Sequence, residues 1–446
     1  MKKVITYGTY DLLHHGHIRL LERAKALGDY LIVGVTAEDF DKARGKINVK
    51  QSLMERVEAI KALDIADEVI VEEYEGQKID DILRYDIDVF TVGSDWIGYF
   101  DYLKEYCEVV YLDRTQGVSS TELRSENGRL RMGFAGDNTV VLKHVDEAKY
   151  VNGLDAACVF SSNKEIVAAA AERGLELVSD FREMLEMVDA VYTASHPSEH
   201  EVQVEMALNA GRHVLCESPI ALSVAAFDRL SQLAKTNNLV LMDGLKTAYS
   251  TAYHRLKLLI KSGKIGHVVS VDTTCTSLSD LAMAESTDNK WNSMCAWGPT
   301  AMLPVFQLLG SKFADARISS RMLDVDYRFD SFSKVDFTYP HAVASVKVGK
   351  AVKSEGELIV SGTKGYVYVP APWWKTDYFE LRYEDANNNR RYFYQLNGEG
   401  IRQMLVSFSN AIKGEGDDKV RISIDESRAI VGVVEQFTRG NIANYL

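Results

Sequence analysis

The sequence predicts an α/β protein in which two doubly wound parallel sheets follow each other and lead into a large, mostly antiparallel sheet. Three observations carry this. Between residues 3 and 112, short apolar runs alternate with amphipathic segments of helical period, the pattern of a parallel sheet covered on both faces. A second alternation of the same kind begins near residue 130. From residue 268 the segments become longer strands with few helices between them, as in an open antiparallel sheet.

In chain order, strands are predicted at 3–7, 30–35, 67–71, 89–92 and 108–112, with helices at 17–27, 53–63, 78–84 and 100–106 and a short helix after Ser119. A polar link containing Gly128 follows, and a fresh strand starts at Leu130. The second series places strands at 132–135, 157–161, 190–194, 213–216 and 239–242, with helices such as 165–173 and 201–210. The third places strands at 268–274, 321–327, 331–339, 342–348, 355–361, 366–369 and 378–383. The expected domains are 1–127, 128–247 and 248–446.

Composition narrows the function class. Apolar residues make up 46% and charged residues 26%, the balance of a soluble globular protein, and 446 residues suffice for two or three cores. A net charge of −13 argues against a broad nucleic-acid surface. The five cysteines lie far apart with no Cys-x-x-Cys spacing, which reads as reduced thiols. With no signal-peptide pattern and no apolar stretch of membrane length, a cytoplasmic protein without membrane partners is expected.

The chemistry concentrates after the first strand, in Gly8-Thr9-Tyr10-Asp11-Leu12-Leu13-His14-His15-Gly16-His17. His14 and His17 arrive three residues apart where a helix begins. Helix starts offer unpaired N–H groups and a positive dipole end to an anion, and imidazoles there stabilise charge developing on a phosphate. Arg114-Thr115-Gln116-Gly117-Val118-Ser119-Ser120-Thr121 follows the fifth strand, and Ser119 with Glu122 forms a capping-box pattern. Both loops open at the carboxyl ends of strands, where doubly wound sheets bind ligands. Arg44 and Lys46 sit in a basic loop, and Lys78 opens a helix; each is a candidate phosphate ligand. Asp11 either caps the turn or touches substrate, and Trp96 reads as a packing residue near the pocket.

These motifs, with Gly93-Ser94-Asp95-Trp96, resemble the glycerol-3-phosphate cytidylyltransferase family over residues 1 to about 126. The resemblance implies CTP and a polyol phosphate as substrates, and a CDP-polyol and pyrophosphate as products. His14 and His17, with Lys46 and Arg114, would be catalytic. Thr9, Tyr10, Thr115, Ser119, Ser120 and Thr121 would help bind CTP, while Asp11, Arg44, Lys78 and Asp95 would face the acceptor. Mg²⁺ is expected with the triphosphate, because such substrates are handled as metal complexes.

From about residue 130, Ser195-His196-Pro197-Ser198-Glu199-His200, Glu217-Ser218-Pro219 and Gly362-Thr363-Lys364-Gly365 resemble the Gfo/Idh/MocA oxidoreductases. That family implies a Rossmann-type domain, an NAD(P) cofactor and an open sheet that often pairs, hence a homodimer. Several departures stand out. Only Gly136 of the glycine fingerprint is in place, and Ser161-Ser162-Asn163-Lys164 stands where a ribose-binding acid is expected. Ser218 replaces the family's lysine, and Ala296-Trp297-Gly298-Pro299-Thr300 replaces an Asp-x-Gly-x-His stretch. The second site would therefore rest on Gly136 and Glu217, with Lys246, His196 or His200 as proton donor and Tyr249 nearby. The domain is either a reductase using these groups or a non-catalytic binding or dimerisation module.

Overall fold

The computed structural model describes residues 1–37, 49, 51–74, 76–113, 129–278, 291–326, 328–394, 396–414 and 422–446. They form two compact units, Met1–Arg129 with Tyr150–Gly153, and Leu130–Lys149 with Leu154–Leu446. The first boundary falls where the polar link ends. The expected second and third domains form one unit.

The first unit holds a parallel sheet of β1 (Lys3–Gly8), β2 (Tyr30–Thr36), β3 (Glu68–Glu72), β4 (Val89–Gly93) and β5 (Glu108–Leu112), in the order β3-β2-β1-β4-β5. Neighbouring strand residues serve opposite faces, as the pleat requires. Val4 joins Leu21, Ala24, Val57 and Ile60 on one side, whereas Ile5 joins Ile82, Phe90, Phe100 and Leu103 on the other. The first side packs helices His15–Lys25 and Leu53–Ala62, and the second packs Gln77–Tyr85. The helix expected at 100–106 is a 3₁₀ turn, Asp101–Glu105. Phe100 and Leu103 are both buried, and a three-residue repeat turns them to one side.

The second unit begins with a parallel sheet of β6 (Leu130–Ala135), β7 (Leu154–Phe160), β8 (Glu176–Val178), β9 (Ala190–Thr193), β10 (His213–Cys216) and β11 (Leu241–Asp243), in the order β11-β10-β9-β6-β7-β8. The three residues of β8 are too few for a periodic signal, and the sequence reading passed over them. Then come β12 (Val268–Thr276), β13 (Asp315–Asp324), β14 (Phe329–Thr338), β15 (Val343–Gly349), β16 (Leu358–Gly362), β17 (Tyr366–Val369), β18 (Tyr378–Arg382), β19 (Arg390–Phe393) and β20 (Asn444–Tyr445). They make one sheet ordered β19-β18-β17-β16-β12-β15-β14-β13-β20, antiparallel except at β12–β15 and β13–β20. Its third-series strand expected at 321–327 instead starts at Asp315.

The C-terminal helices return to the β6–β11 layer. Val431, on helix Ile424–Thr438, is fully buried among Val204, Phe227 and Leu230 of the β6–β11 layer. Among the described residues, no helix is long and apolar enough to cross a membrane. Val431→Ala should cost about 2 kcal/mol through lost burial and a residual cavity. In a Trp96→Phe background, tryptophan fluorescence from residues 291–374 and thiol accessibility of Cys158 and Cys216, reporting the parallel sheet, should shift together in urea.

Candidate functional site

In the first unit the strand order reverses between β1 and β4, where open α/β sheets form ligand crevices. The turn after β1 is tightly made. Tyr10 takes a left-handed φ of 52° and folds its ring over Gly8, where an added Cβ would lie 2.9 Å from the ring. Thr9, Tyr10 and Asp11 are all buried. Gln51 N–H donates to Asp11 Oδ1 at 3.0 Å, and Leu12 N–H donates to Gln51 Oε1 at 2.7 Å. Arg56, fully buried, donates to the carbonyls of Thr9 (2.7 Å), Thr36 (2.8 Å) and Gln51 (3.1 Å). The sequence reading assigned Arg56 no role. Its signal was faint, since nothing local says that an arginine at a helix start will be buried.

The turn delivers two imidazoles to the helix start. His14 is the N-cap of helix His15–Lys25, and its Nδ1 accepts the Gly16 N–H at 3.1 Å. An accepting Nδ1 puts the proton of the neutral tautomer on Nε2. The rings of His14 and His17 stack at 3.9 Å and 18°, as neighbours three apart on one helix face do, and Tyr10 meets His17 edge-on at 5.6 Å. The first turn of this helix carries no acidic residue of its own.

A small pocket of about 60 Å³ opens beside Gly8, bordered by Thr36, Glu72, Lys78, Trp96 and Phe100. Lys78 is buried here: its ammonium pairs with Glu72, and it lies over the Tyr7 ring at 4.7 Å. Glu72 also accepts from Thr36 Oγ1 at 3.0 Å. Lys78 therefore meets the pocket as half of a neutralised pair and not as an exposed cation. Trp96 packs on Tyr99 and Phe100. Asp95 lies in the 3₁₀ turn Ser94–Trp96 directly after β4. Arg44, Lys46, Arg114, Thr115, Ser119, Ser120 and Thr121 lie outside the described residues.

In the second unit the order reverses between β6 and β9, and a cleft of about 890 Å³ lies there. Its border includes Asp137, Ser195, His196, Glu217, Trp297 and Lys350. Gly136 has φ 137°, and a Cβ would sit 2.5 Å from the Ala194 carbonyl, so only glycine lets the two loops meet. Asn138 Oδ1 accepts the Val140 N–H at the start of helix Val140–Ala148 (3.0 Å). Asp137 accepts from Ser161 Oγ (2.8 Å) and from Ser162 N–H (2.7 Å) and Oγ (2.6 Å).

Glu217 accepts from Tyr192 O–H at 2.6 Å, and His144 stacks on that tyrosine with Nε2 4.0 Å from the carboxylate. Burial raises the Glu217 carboxyl to about 7, against the Tyr192 hydrogen bond and the Lys246 charge, which lower it. Burial likewise pushes His144 down to about 3, so it is a neutral ring. Ser218 donates to the buried Asp243 at 3.2 Å. Ala296 and Trp297 border the cleft.

Three expected proton donors find other partners. Lys246 pairs with Glu399 at 2.5 Å and does not border the cleft. His200 is fully buried, its ring nitrogens 2.8 Å from the Pro219 carbonyl and 2.9 Å from that of Ser195. His196 borders the cleft, but caps helix Pro197–Asn209 by accepting the Ser198 N–H. Tyr249 has no exposed surface.

Residues 5–126 match the cytidylyltransferase-like family, and residues 130–245 match the oxidoreductase family with an NAD-binding Rossmann fold. The class is thus a nucleotidyltransferase joined to an oxidoreductase-type unit. Glycerol-3-phosphate cytidylyltransferase of Bacillus spizizenii is 52% identical over 130 residues, which are 29% of this chain and 100% of that protein. Through this first part, the chain belongs to the glycerol-3-phosphate cytidylyltransferase family. The NADP(+)-dependent scyllo-inositol 2-dehydrogenase IolU of Bacillus subtilis is 30% identical over 132 residues, 29% of this chain and 40% of that protein. The fold of the second unit is similar to that of the 3-ketoreductase KijD10 of Actinomadura kijaniata, solved with NADP and TDP-benzene. The TM-score is 0.62 and the identity 16%, covering 71% of this chain and 99% of that one.

The raised Glu217 carboxyl has a stability signature. The folded state holds a proton there that the unfolded chain releases at a lower pH. Its contribution is full below about pH 4.5 and is lost as pH rises toward 7. Glu217→Gln should flatten that part of the fall in urea midpoint between pH 4.5 and 7, leaving the smaller slope from Asp243, which burial raises to about 6.

Proposed function

We propose that the first unit transfers a cytidylyl group from CTP to a glycerol-phosphate-like polyol phosphate. The acceptor's phosphate oxygen bonds to the α-phosphorus as the bond to the departing pyrophosphate breaks, in line and without a covalent enzyme intermediate. The observation that carries this reading is the stacked His14–His17 pair at a helix start whose first turn holds no acidic residue. Those two rings would neutralise charge growing on the phosphates. Lys46 and Arg114 would join them, with Thr115, Ser119, Ser120 and Thr121 around CTP. Arg44, Lys78 and Asp95 would serve the acceptor side. Thr9, Tyr10 and Asp11, being buried, would act by shaping the turn.

Mg²⁺ would arrive with the triphosphate, since the described residues hold no group of three or more His, Cys, Asp or Glu placed for a metal. We read the second unit as a dinucleotide-type domain, paired with a second copy, whose usual proton-handling residues are replaced. The close-packed Gly136 loop and a cleft at the strand reversal fit a nicotinamide dinucleotide along Gly136, Asn138 and Ser195. Such a cofactor supplies a hydride when bound. Glu217 favours a second reading, a working reductase, because it borders the cleft with its carboxyl balanced near neutral pH.

Pyrophosphate release with CTP, Mg²⁺ and a panel of polyol phosphates tests the transfer. His14→Ala and His17→Ala should each lower kcat by about 10²–10³ with the circular dichroism spectrum unchanged. Full activity in the His17 variant contradicts the assignment.

A further inference from the structure

The Gfo/Idh/MocA resemblance places a ribose-binding acid at the end of the second strand of its sheet, and β7 ends here in Phe160 followed by two serines. The carboxylate is nevertheless there, delivered from another loop. Asp137 follows Gly136 after β6, and its side chain reaches across to the end of β7. Oδ1 accepts from Ser161 Oγ (2.8 Å), Ser162 N–H (2.7 Å) and Asn163 N–H (3.2 Å), while Oδ2 accepts from Ser162 Oγ (2.6 Å). Asn163 Nδ2 returns a bond to the Asp137 carbonyl at 3.3 Å. Asp137 and Ser162 both border the cleft.

We infer that Asp137 is the cofactor-selecting residue of the second unit, accepting a ribose hydroxyl and rejecting a ribose 2′-phosphate, so that the cleft prefers NAD(H) to NADP(H). The inference rests on the reading that this cleft takes a dinucleotide. Two physical points support the direction. A carboxylate oxygen accepts two hydrogen bonds, and Oδ2 takes one from the protein, which leaves it able to receive a ribose O–H. The hydroxyls of Ser161 and Ser162, which would otherwise donate to a phosphate, already donate to Asp137. Burial favours the neutral acid, but the bonds from Ser162, Ser161 and Asn163 outweigh it and hold Asp137 ionised, so the repulsion is present at neutral pH. The cation of this loop is Lys164, exposed at the start of helix Lys164–Glu172.

Calorimetric titration of the full chain with NADH and with NADPH tests this. NADH should bind at least about tenfold more tightly. Asp137→Asn, which keeps hydrogen-bonding capacity but removes the charge, should narrow the ratio by about fivefold or more, chiefly by strengthening NADPH. Ser162→Ala, which keeps the charge, should leave NADH preferred. Thermal melts establish that each variant is folded. NADPH binding as tightly as NADH, or a ratio unchanged in Asp137→Asn, overturns the inference alone. Binding of neither nucleotide overturns the dinucleotide reading and the inference with it.

Discussion

Arg56 is the constraint on which the first unit's site depends. A guanidinium with no exposed surface is tolerated where it finds acceptors, and the carbonyls of Thr9, after β1, and Thr36, at the end of β2, supply them. By also holding the Gln51 carbonyl, Arg56 fixes the residue whose main chain binds Asp11 and whose side chain binds Leu12. The turn is thereby pinned on both sides before any ligand arrives. His14 caps its helix from a determined position, and the stacked imidazoles need little rearrangement to meet a phosphate. Such preorganisation is what electrostatic stabilisation of a transferring group requires.

The second unit solves a similar problem with the opposite charge. Its loops after β6 and β9 also meet at a reversal of strand order, and on the other side of β6 the carboxylate of Asp137 ties the loop after β6 to the start of the helix after β7. Gly136 lets this loop approach Ala194, so the floor of the cleft is close-packed backbone. Around it stand a carboxyl balanced near neutrality and a tyrosine–histidine stack. Lys246 and Lys375 pair with Glu399 and hold it down to about 2 although burial alone would raise it, and the Lys246 charge also lowers Glu217. Chemistry in this unit would therefore centre on Glu217.

Much of this was readable from sequence. Strands 108–112, 213–216 and 366–369 were placed to the residue, because apolar runs between turn residues leave little choice of period. The histidine pair was legible since three-residue spacing at a helix start dictates one face. What escaped were partnerships between distant segments. Neither the pairing of Lys78 with Glu72 of the preceding strand nor that of Lys246 with Glu399, 153 residues away, is written in the local sequence. Asp137 carries no local signal, since its contacts depend on β7 lying beside β6. The buried Arg56 was invisible for the same reason.

The central claim is that the pinned histidine turn makes the chain a cytidylyltransferase. Phosphorus NMR of the full chain with CTP, Mg²⁺ and glycerol 3-phosphate tests it most directly. The account predicts loss of the three CTP resonances and growth of a coupled diphosphate pair from a CDP-polyol together with free pyrophosphate. A CTP spectrum that stays unchanged with glycerol 3-phosphate and with every other polyol phosphate tried would contradict it.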